Sequence, residues 1–428
     1  MAVRLIERPF LIAAIFCVFV FYSKIVKISP RNPFSSVFQT EKITGLSGTL
    51  ISSPQISSSG KSYLSKMAVT SVKSCLMIDG LDFPSSSQAR GNVNIILPSD
   101  MTEVYFPGKV YSSVKSLNKG CFLYESGADY DFEGRFISPD TFLVKSCCSC
   151  RWKSGIFGKI DKARALCRLQ FKRLMFFWRD GGGLILALLS GSKEYLDCGL
   201  YSNFRRAGLS HIIALSGMHL SMFSAITVFF ASRFGRKKLT IALRLSALIC
   251  FVWFAGFSPS LMRAFICSML LLFASLAGVK EPDMLLILSF SFLLQTVISP
   301  SDLQNAGFML SYAALSGILL LGRALTKIFT RFLPFYFAGS ISASCGAQVL
   351  TAPLSLKLFG SFAPVGIAAT VFVSPLISIF IYTALFLILI CLLFPSFASY
   401  SAIFVEIEYN LIKFVVGAFS HAPVWSIS

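Results

Sequence analysis

Charge is scarce in this chain: of 428 residues only 14% are charged, the acids number 20 and the histidines three. Soluble domains of ordinary composition run near 25% charged, so the shortage argues against a soluble globular fold. No internal repeat is detectable. Of the 12 Cys, several (Cys17, Cys250, Cys267, Cys345, Cys391) sit inside apolar stretches as small hydrophobes. Cys75, Cys121, Cys147, Cys148 and Cys150 lie in a polar segment, where an oxidising compartment could pair some of them, although five cannot all pair internally. The Cys147-Cys-Ser-Cys150 run has no nearby His, which makes it a poor zinc site.

Apolar residues are what the chain has in plenty, at 55% hydrophobic with a mean hydropathy of +0.71. Several separate stretches approach the ~20 residues that a helix needs to cross about 30 Å of hydrocarbon. A multi-pass membrane protein is the reading that follows. The net charge of +19, from 39 Lys and Arg, first marks cytoplasmic loops. Attraction of anionic lipid or nucleic acid is allowed by such a charge without being required by it.

Four segments succeed one another. Residues 1–35 carry a short apolar run, Phe10 to Tyr22, after Arg4 and Arg8, with no small-residue cleavage site behind it; an uncleaved signal anchor is expected. Residues 36–150 turn to Ser, Gly, Thr, Lys and Asp with alternating runs such as Gly91 to Leu97 and Glu103 to Phe106. That alternation predicts a β domain of about five strands, with Ser57 to Gly60 and Pro84 to Ser87 as turns. From Thr40 to Cys150 ten Lys and Arg balance ten Asp and Glu, which leaves this domain no basic footprint.

Residues 151–205 begin with nine Lys and Arg between Arg151 and Arg179, opposed only by Asp161. Ile160, Ala163, Leu166, Leu169, Leu174 and Phe177 recur near helical spacing, so an amphipathic helix in the headgroup layer is expected. The sharper alternative is a ridge that guides a polyanion, with Lys159, Lys162, Arg164, Arg168, Lys172 and Arg173 as its contacts. Leu184 to Leu189 is too short to span and predicts a re-entrant or half-buried helix.

In residues 206–428 the spanning candidates are Ile212 to Ala231, Leu239 to Phe257, Leu261 to Gly278, Met284 to Ser299, Asn305 to Gly322, Phe335 to Leu358 and Ile377 to Phe394. Ala402 to Phe419 is a weaker last one, and Ala363 to Pro375 reads as a broken helix. Arg233, Arg236, Lys237, Lys238 and Arg244 form a loop region without an acid, which belongs in the cytoplasm, and alternation puts Arg323, Lys327 and Arg331 on the same side. The same count puts the β domain outside. Lys24, Lys27 and Arg31 disagree with it and carry less weight.

Two of the three His fall in Leu209 to Leu220, where Ser216 and His219 are three apart and His211 stands eight before His219. The pair could activate a hydroxyl, but no carboxylate nearby in sequence orients the imidazole. Close helix contacts or a pore lining suit these residues better. In Ser258-Pro-Ser-Leu-Met-Arg263, Ser258 can cap a helix and Pro259 open its first turn, placing Arg263 near the outer interface. Ser301 and Gln304 have capping-box spacing ahead of Gly307 and Ser311, four apart for close packing. Gln295 and Gln348 are polar residues in apolar runs.

At these residues the chain resembles the ComEC competence family. The resemblance rests on His211 to His219, Ser258 to Ala264 and Gly307 to Tyr312, and extends through Gln348 to Pro353 and Phe359-Gly360. It implies a polytopic helical membrane protein of about seven to nine spans with an inserted OB-like extracytoplasmic domain at 36–150 and a competence-type helical domain at 206–428. It also implies an inner-membrane channel for single-stranded DNA uptake in natural transformation, non-enzymatic and without cofactor or metal. Implied partners are single-stranded DNA, membrane lipid, a surface DNA receptor, a cytoplasmic ATP-driven motor and a separate nuclease, with a homo-oligomer left open. His211, Ser216, Gly217, His219, Arg263, Gly307 and Ser311 match motif positions, and Gln348 joins them as a pore candidate.

Departures are Gly191-Ser-Lys193, where the family has an acid and a base, Met309 in place of Gln, and Thr370 in place of Asn. Many members end in a metallo-β-lactamase-like domain. The sequence to Ser428 holds no His-x-His-x-Asp-His motif, so zinc-dependent nuclease activity is not expected of it. A small-solute transporter and an intramembrane Ser/His hydrolase are the competing classes.

Overall fold

A computed structural model describes residues 9–22, 33–57, 62–78, 81–98, 124–193, 195–233, 235 and 237–426, with the backbone alone at 20–22, 56, 75–78, 81–84, 232, 237, 336 and 426. Glu103 to Phe106, Cys121, Lys24, Lys27, Arg31 and Arg236 lie outside the described residues. The chain divides into two compact units. One holds Pro30–Leu186 with Ser192–Tyr195, the other Met1–Ser29, Ala187–Gly191 and Leu196–Ser428.

The first unit is built on β1 (Ile43–Leu50), β2 (Gln55–Ile56), β3 (Ser62–Ile78), β4 (Leu81–Pro98), β5 (Ala128–Ser138) and β6 (Thr141–Trp152). Every pairing is antiparallel except β4 with β6, where Ile95 faces Phe142 in parallel register. Because β1 pairs with both β3 and β5, five strands close into a ring in the order β1-β3-β4-β6-β5. Closure removes the exposed edges that an open sheet would present. Alternation fills the interior: Leu46, Met67, Val72, Ile95, Tyr130, Phe132 and Phe142 are all buried. Each such side chain contributes about 1.5–3 kcal/mol. Pro84 to Ser87 is not a turn, because it continues β4 opposite Ser74 and Cys75 of β3.

The basic segment folds as helix α2 (Ile156–Phe177), followed by α3 (Arg179–Ser190). All of Gly181 to Ser190 is buried, so the Leu184 run packs inside protein. The N-terminal helix, α1, is Pro9–Tyr22.

The second unit continues with α4 (Cys198–Arg206), α5 (Ser210–Ile213), α6 (Gly217–Ser232), α7 (Lys237–Ala255), α8 (Pro259–Leu276) and α9 (Met284–Ile298). A 3-10 turn, Pro300–Gln304, leads to α10 (Ala306–Phe329), α11 (Phe335–Phe359), β7 (Ser361–Phe362), α12 (Gly366–Leu393), α13 (Phe397–Ser420) and β8 (Trp425–Ser426). Among the described residues four helices, within α7, α8, α10 and α12, are long and apolar enough to cross a membrane. Shorter apolar helices lie at Pro9–Phe19, Gly217–Ala231 and Met284–Ile298. The chain is a helical membrane protein with a small N-terminal β region.

Three local readings differ from the sequence expectation. The Ile212 to Ala231 candidate breaks at Ala214 to Ser216 into α5 and α6. Of the Ala363 to Pro375 stretch, Gly366 to Pro375 forms the start of α12, which runs unbroken past Pro375. Membrane helices tolerate such a proline because neighbouring groups satisfy the backbone it frees. Ser301 and Gln304 fall in the 3-10 turn, and Asn305 caps α10 by accepting the Gly307 N–H at 2.8 Å.

Packing inside this unit uses two apolar clusters. Leu215, Leu220, Leu248, Phe251 and Leu261 join α6, α7 and α8, while Ala14, Phe292, Phe308 and Tyr312 join α1, α9 and α10. Between α10 and α11, Gly317 and Gly346 bring backbone against backbone, which only a missing Cβ permits.

Candidate functional site

Four sequence-distant polar segments meet at one end of the helical unit. Ser216 caps α6, its N–H reaches His219 Nδ1 at 3.2 Å, and its Oγ stands 3.2 Å from the same nitrogen in a capping box. Since Nδ1 accepts, the ring proton belongs on Nε2, and that atom is buried without a hydrogen-bond partner. His219 itself is 0% exposed. His211, on α5, is exposed.

Helix α8 arrives beside this turn. Ser258 precedes it with Pro259 as its first residue, and the buried Ser258 Oγ makes no hydrogen bond. Ser260 Oγ donates to the Leu215 carbonyl at 2.8 Å and ties α8 to the break before α6. One turn on, Arg263 lies against Gly217: a Cβ at Gly217 would stand 3.3 Å from Arg263 Nη2 and 3.2 Å from Ala264 Cβ. The glycine therefore makes room for the guanidinium.

Arg263 Nη1 donates to the Ser311 carbonyl of α10 at 2.7 Å. Its Nε is buried without a partner, and among the described residues no carboxylate forms an ion pair with it. A cation in an apolar helical unit costs several kcal/mol unless protein, water or an anion compensates it, at roughly 2.5–3.5 kcal/mol on insertion scales. Arg263 therefore keeps one donor free and a charge without a paired acid.

Gln295 of α9 closes the group. Its Nε2 donates to the Pro259 carbonyl at 3.0 Å and to Asp302 Oδ2 at 3.1 Å, while Tyr312 Oη donates to its Oε1 at 3.1 Å. Ser291 Oγ lies 3.0 Å from the same phenol. Gly307, exposed, begins α10 on the Asn305 cap. Gln348 stands apart on α11. Its Nε2 would lie 3.0 Å from a Cβ at Gly366, and its Oε1 is buried without a partner.

Thus Ser216, Gly217, His219, Arg263 and Ser311 converge, Gly307 flanks them, and His211 and Gln348 fall outside the hydrogen-bonded group. Ser260, Ser291 and Asp302 belong to it although sequence reasoning gave them no part. Ser260 could have been found from its place between the helix start and Arg263. Ser291 and Asp302 carry no local signal.

The cations of α2 are placed differently. Arg168 and Lys172 are buried and pair with Glu125 at 3.6 and 3.5 Å. Glu125 also accepts from Ser53, and Arg164 binds Ser126 and stands 3.8 Å from Asp161. Burial alone would raise the Glu125 carboxyl, but the Arg168 and Lys172 charges and the Ser53 hydroxyl outweigh it and hold it below the usual carboxylate range. As contacts for a polyanion, Arg168 and Lys172 are therefore corrected to internal partners of Glu125. Lys159, Lys162 and Arg173 are exposed.

On β6, burial pushes the Cys147 thiol up to about 12, and the Cys148 and Cys150 thiols also lie above their ordinary value, chiefly through burial. Such thiols are poor thiolate ligands. The side chain of Cys75 is outside the described residues.

The helices and the polar group at their ends define a polytopic membrane protein with an unneutralised arginine among helix termini. The chain belongs to the competence-protein family: the model described as Competence protein matches residues 188–428, and the relatives place it with the ComEC type. Over 198 residues it is 26% identical to ComE operon protein 3 of Bacillus subtilis (strain 168), covering 46% of this chain and 25% of that protein. Over 262 residues it is 25% identical to Recombination protein 2 of Haemophilus influenzae, covering 56% of this chain and 31% of that protein. A 54-residue stretch is 39% identical to Competence protein ComA of Neisseria gonorrhoeae, covering 13% of this chain and 8% of that protein. The chain spans about a quarter to a third of the length of the first and second of these. No solved structure matches.

Proposed function

We propose that this protein is a non-enzymatic conduit that admits single-stranded DNA through the bacterial inner membrane during natural transformation. The observation that carries the reading is Arg263, held between Gly217 and the Ser311 carbonyl with no carboxylate paired to it. Such a group favours an anionic polymer at the mouth of a helical bundle. Family membership supplies the competence context.

The orientation follows from charge. The Arg233 to Arg244 region and the Arg323 to Arg331 region lie at the ends of α6 and α10 opposite to Gly217 and Gly307, so the positive-inside rule directs the Arg263 group outward. By the same rule the β unit is extracytoplasmic. Its ring of five strands with one parallel pairing supports an OB-like reading, a fold that serves oligonucleotide binding elsewhere. Exposed Lys159, Lys162 and Arg173 then remain as strand contacts. A surface receptor, a cytoplasmic motor and a separate nuclease complete the proposed pathway.

The geometry disfavours the hydrolase reading. His219 spends Nδ1 on Ser216, and its Nε2 has no carboxylate to orient it. Entry of labelled DNA into cells lacking the gene tests the proposal. Loss of entry with surface-bound DNA retained is expected, and normal entry overturns it.

A further inference from the structure

A cavity of about 680 Å³ opens at the end of α4, beside the β7–β8 pair and the end of α13. Ser202, Arg205, Arg206, Ser361, Ser420 and His421 supply its polar lining, and among the described residues no carboxylate takes part. Both arginines are exposed, and among the described residues neither forms an ion pair. The acid that begins the same helix, Asp197, is engaged elsewhere: it accepts the Gly199 N–H at 2.9 Å and lies 3.2 Å from Lys413 Nζ.

The walls are fixed by backbone. Ser361 pairs with Ser426 across β7 and β8, and His421 Nδ1 lies 2.8 Å from the Gly417 carbonyl. Two arginines in a last helical turn also offset the helix dipole, which accounts for their charge but not for a cavity lined by hydroxyls. The volume falls in the range of small-ligand sites. Guanidinium forks with neighbouring hydroxyls match the oxygens of a phosphodiester and its sugar.

Residues next in sequence to the lining reach Gln348, one of the motif candidates. Gly208, two residues after Arg206, lies against Ala363 and Gly366, and Gly366 in turn lies against Gln348. We infer that this pocket is a second anion site, which seats a phosphodiester of the incoming single strand ahead of Arg263. The inference rests on the conduit reading. A strand handed from one cationic station to the next is held without base readout, as a sequence-independent importer requires.

The test uses the full chain in phosphatidylcholine nanodiscs, with fluorescein-labelled dT12 as the probe. In R205Q/R206Q the dissociation constant should rise roughly tenfold, and the slope of log affinity on log salt should shrink by roughly 1.4, two single-strand phosphate contacts. R205K/R206K should recover most of the affinity. Wild-type affinity and slope in the Gln pair overturn the pocket and leave the conduit intact, provided deletion cells still fail to take up DNA. In a second set of nanodiscs that contain phosphatidylglycerol, weaker phosphatidylglycerol retention by R205Q/R206Q with dT12 affinity unchanged assigns the pocket to lipid and overturns the inference. Normal DNA uptake by deletion cells removes the conduit reading and the pocket's role with it.

Discussion

Arg263 and Ser311, on different helices and 48 residues apart, are joined by a 2.7 Å hydrogen bond from Nη1 to the main-chain carbonyl. The bond uses one corner of the guanidinium and leaves its charge without a paired acid. Lysine has no fork with which to hold the carbonyl and face Gly217 together. Replacing Arg263 by Lys should lower DNA entry by roughly 10- to 100-fold, the equivalent of a charged hydrogen bond at about 1.5–3 kcal/mol. Arg263→Glu should abolish entry. Both are read as labelled DNA inside cells, with the amount of membrane-inserted protein measured beside it.

Gln295 serves three partners, Pro259, Asp302 and Tyr312, from one amide. Leucine in its place leaves buried polar groups unmade and should cost about 1–3 kcal/mol. Unfolding in a denaturing-detergent titration would show the loss as an earlier midpoint. An unchanged midpoint would mean that water replaces the amide.

Glu125 holds Arg168 and Lys172 against the β unit. Its carboxyl titrates below the usual value in the folded state, so its contribution to stability is complete above about pH 4.3 and is lost as pH falls through the lowered folded value. Glu125→Gln removes the carboxylate that pairs with two buried cations and should cost about 3–5 kcal/mol. It should also flatten the acid limb of stability, followed by tryptophan fluorescence; Trp178, in the same unit, is 1% exposed.

Gly317 and Gly339 form a matched pair for packing. A Cβ at Gly317 would run into the Gly346 backbone, whereas one at Gly339 meets nothing within 4 Å. Gly317→Ala should destabilise by about 1–3 kcal/mol through overpacking. Gly339→Ala should be neutral or slightly stabilising.

Much of the helical unit was legible because its boundaries carry chemistry: Ser258-Pro259 opens α8 and Asp283 caps α9 through the Leu285 N–H. The break before α6 was not legible, since Ala214-Leu215-Ser216 contains neither Pro nor Gly. At the break the Leu215 carbonyl accepts from Ser260, a bond between segments 45 residues apart that helical periodicity does not reveal. The β unit was read from alternation, but its closure into a ring depends on β1 pairing twice. The fate of Arg168 and Lys172 was hidden for a related reason. Their counterion, Glu125, sits in a loop before β5 and gives no helical spacing to reveal the pair.

Contact between a strand in transit and the Arg263 group can be measured by photo-crosslinking. A benzophenone side chain at Met218, half-buried in the first turn of α6, and one at Phe386, 63% exposed on α12, would be compared during uptake of labelled DNA. Crosslinks at Met218 and none at Phe386 are the expected result. Entry at the normal rate with no crosslink at Met218 would contradict passage beside Arg263.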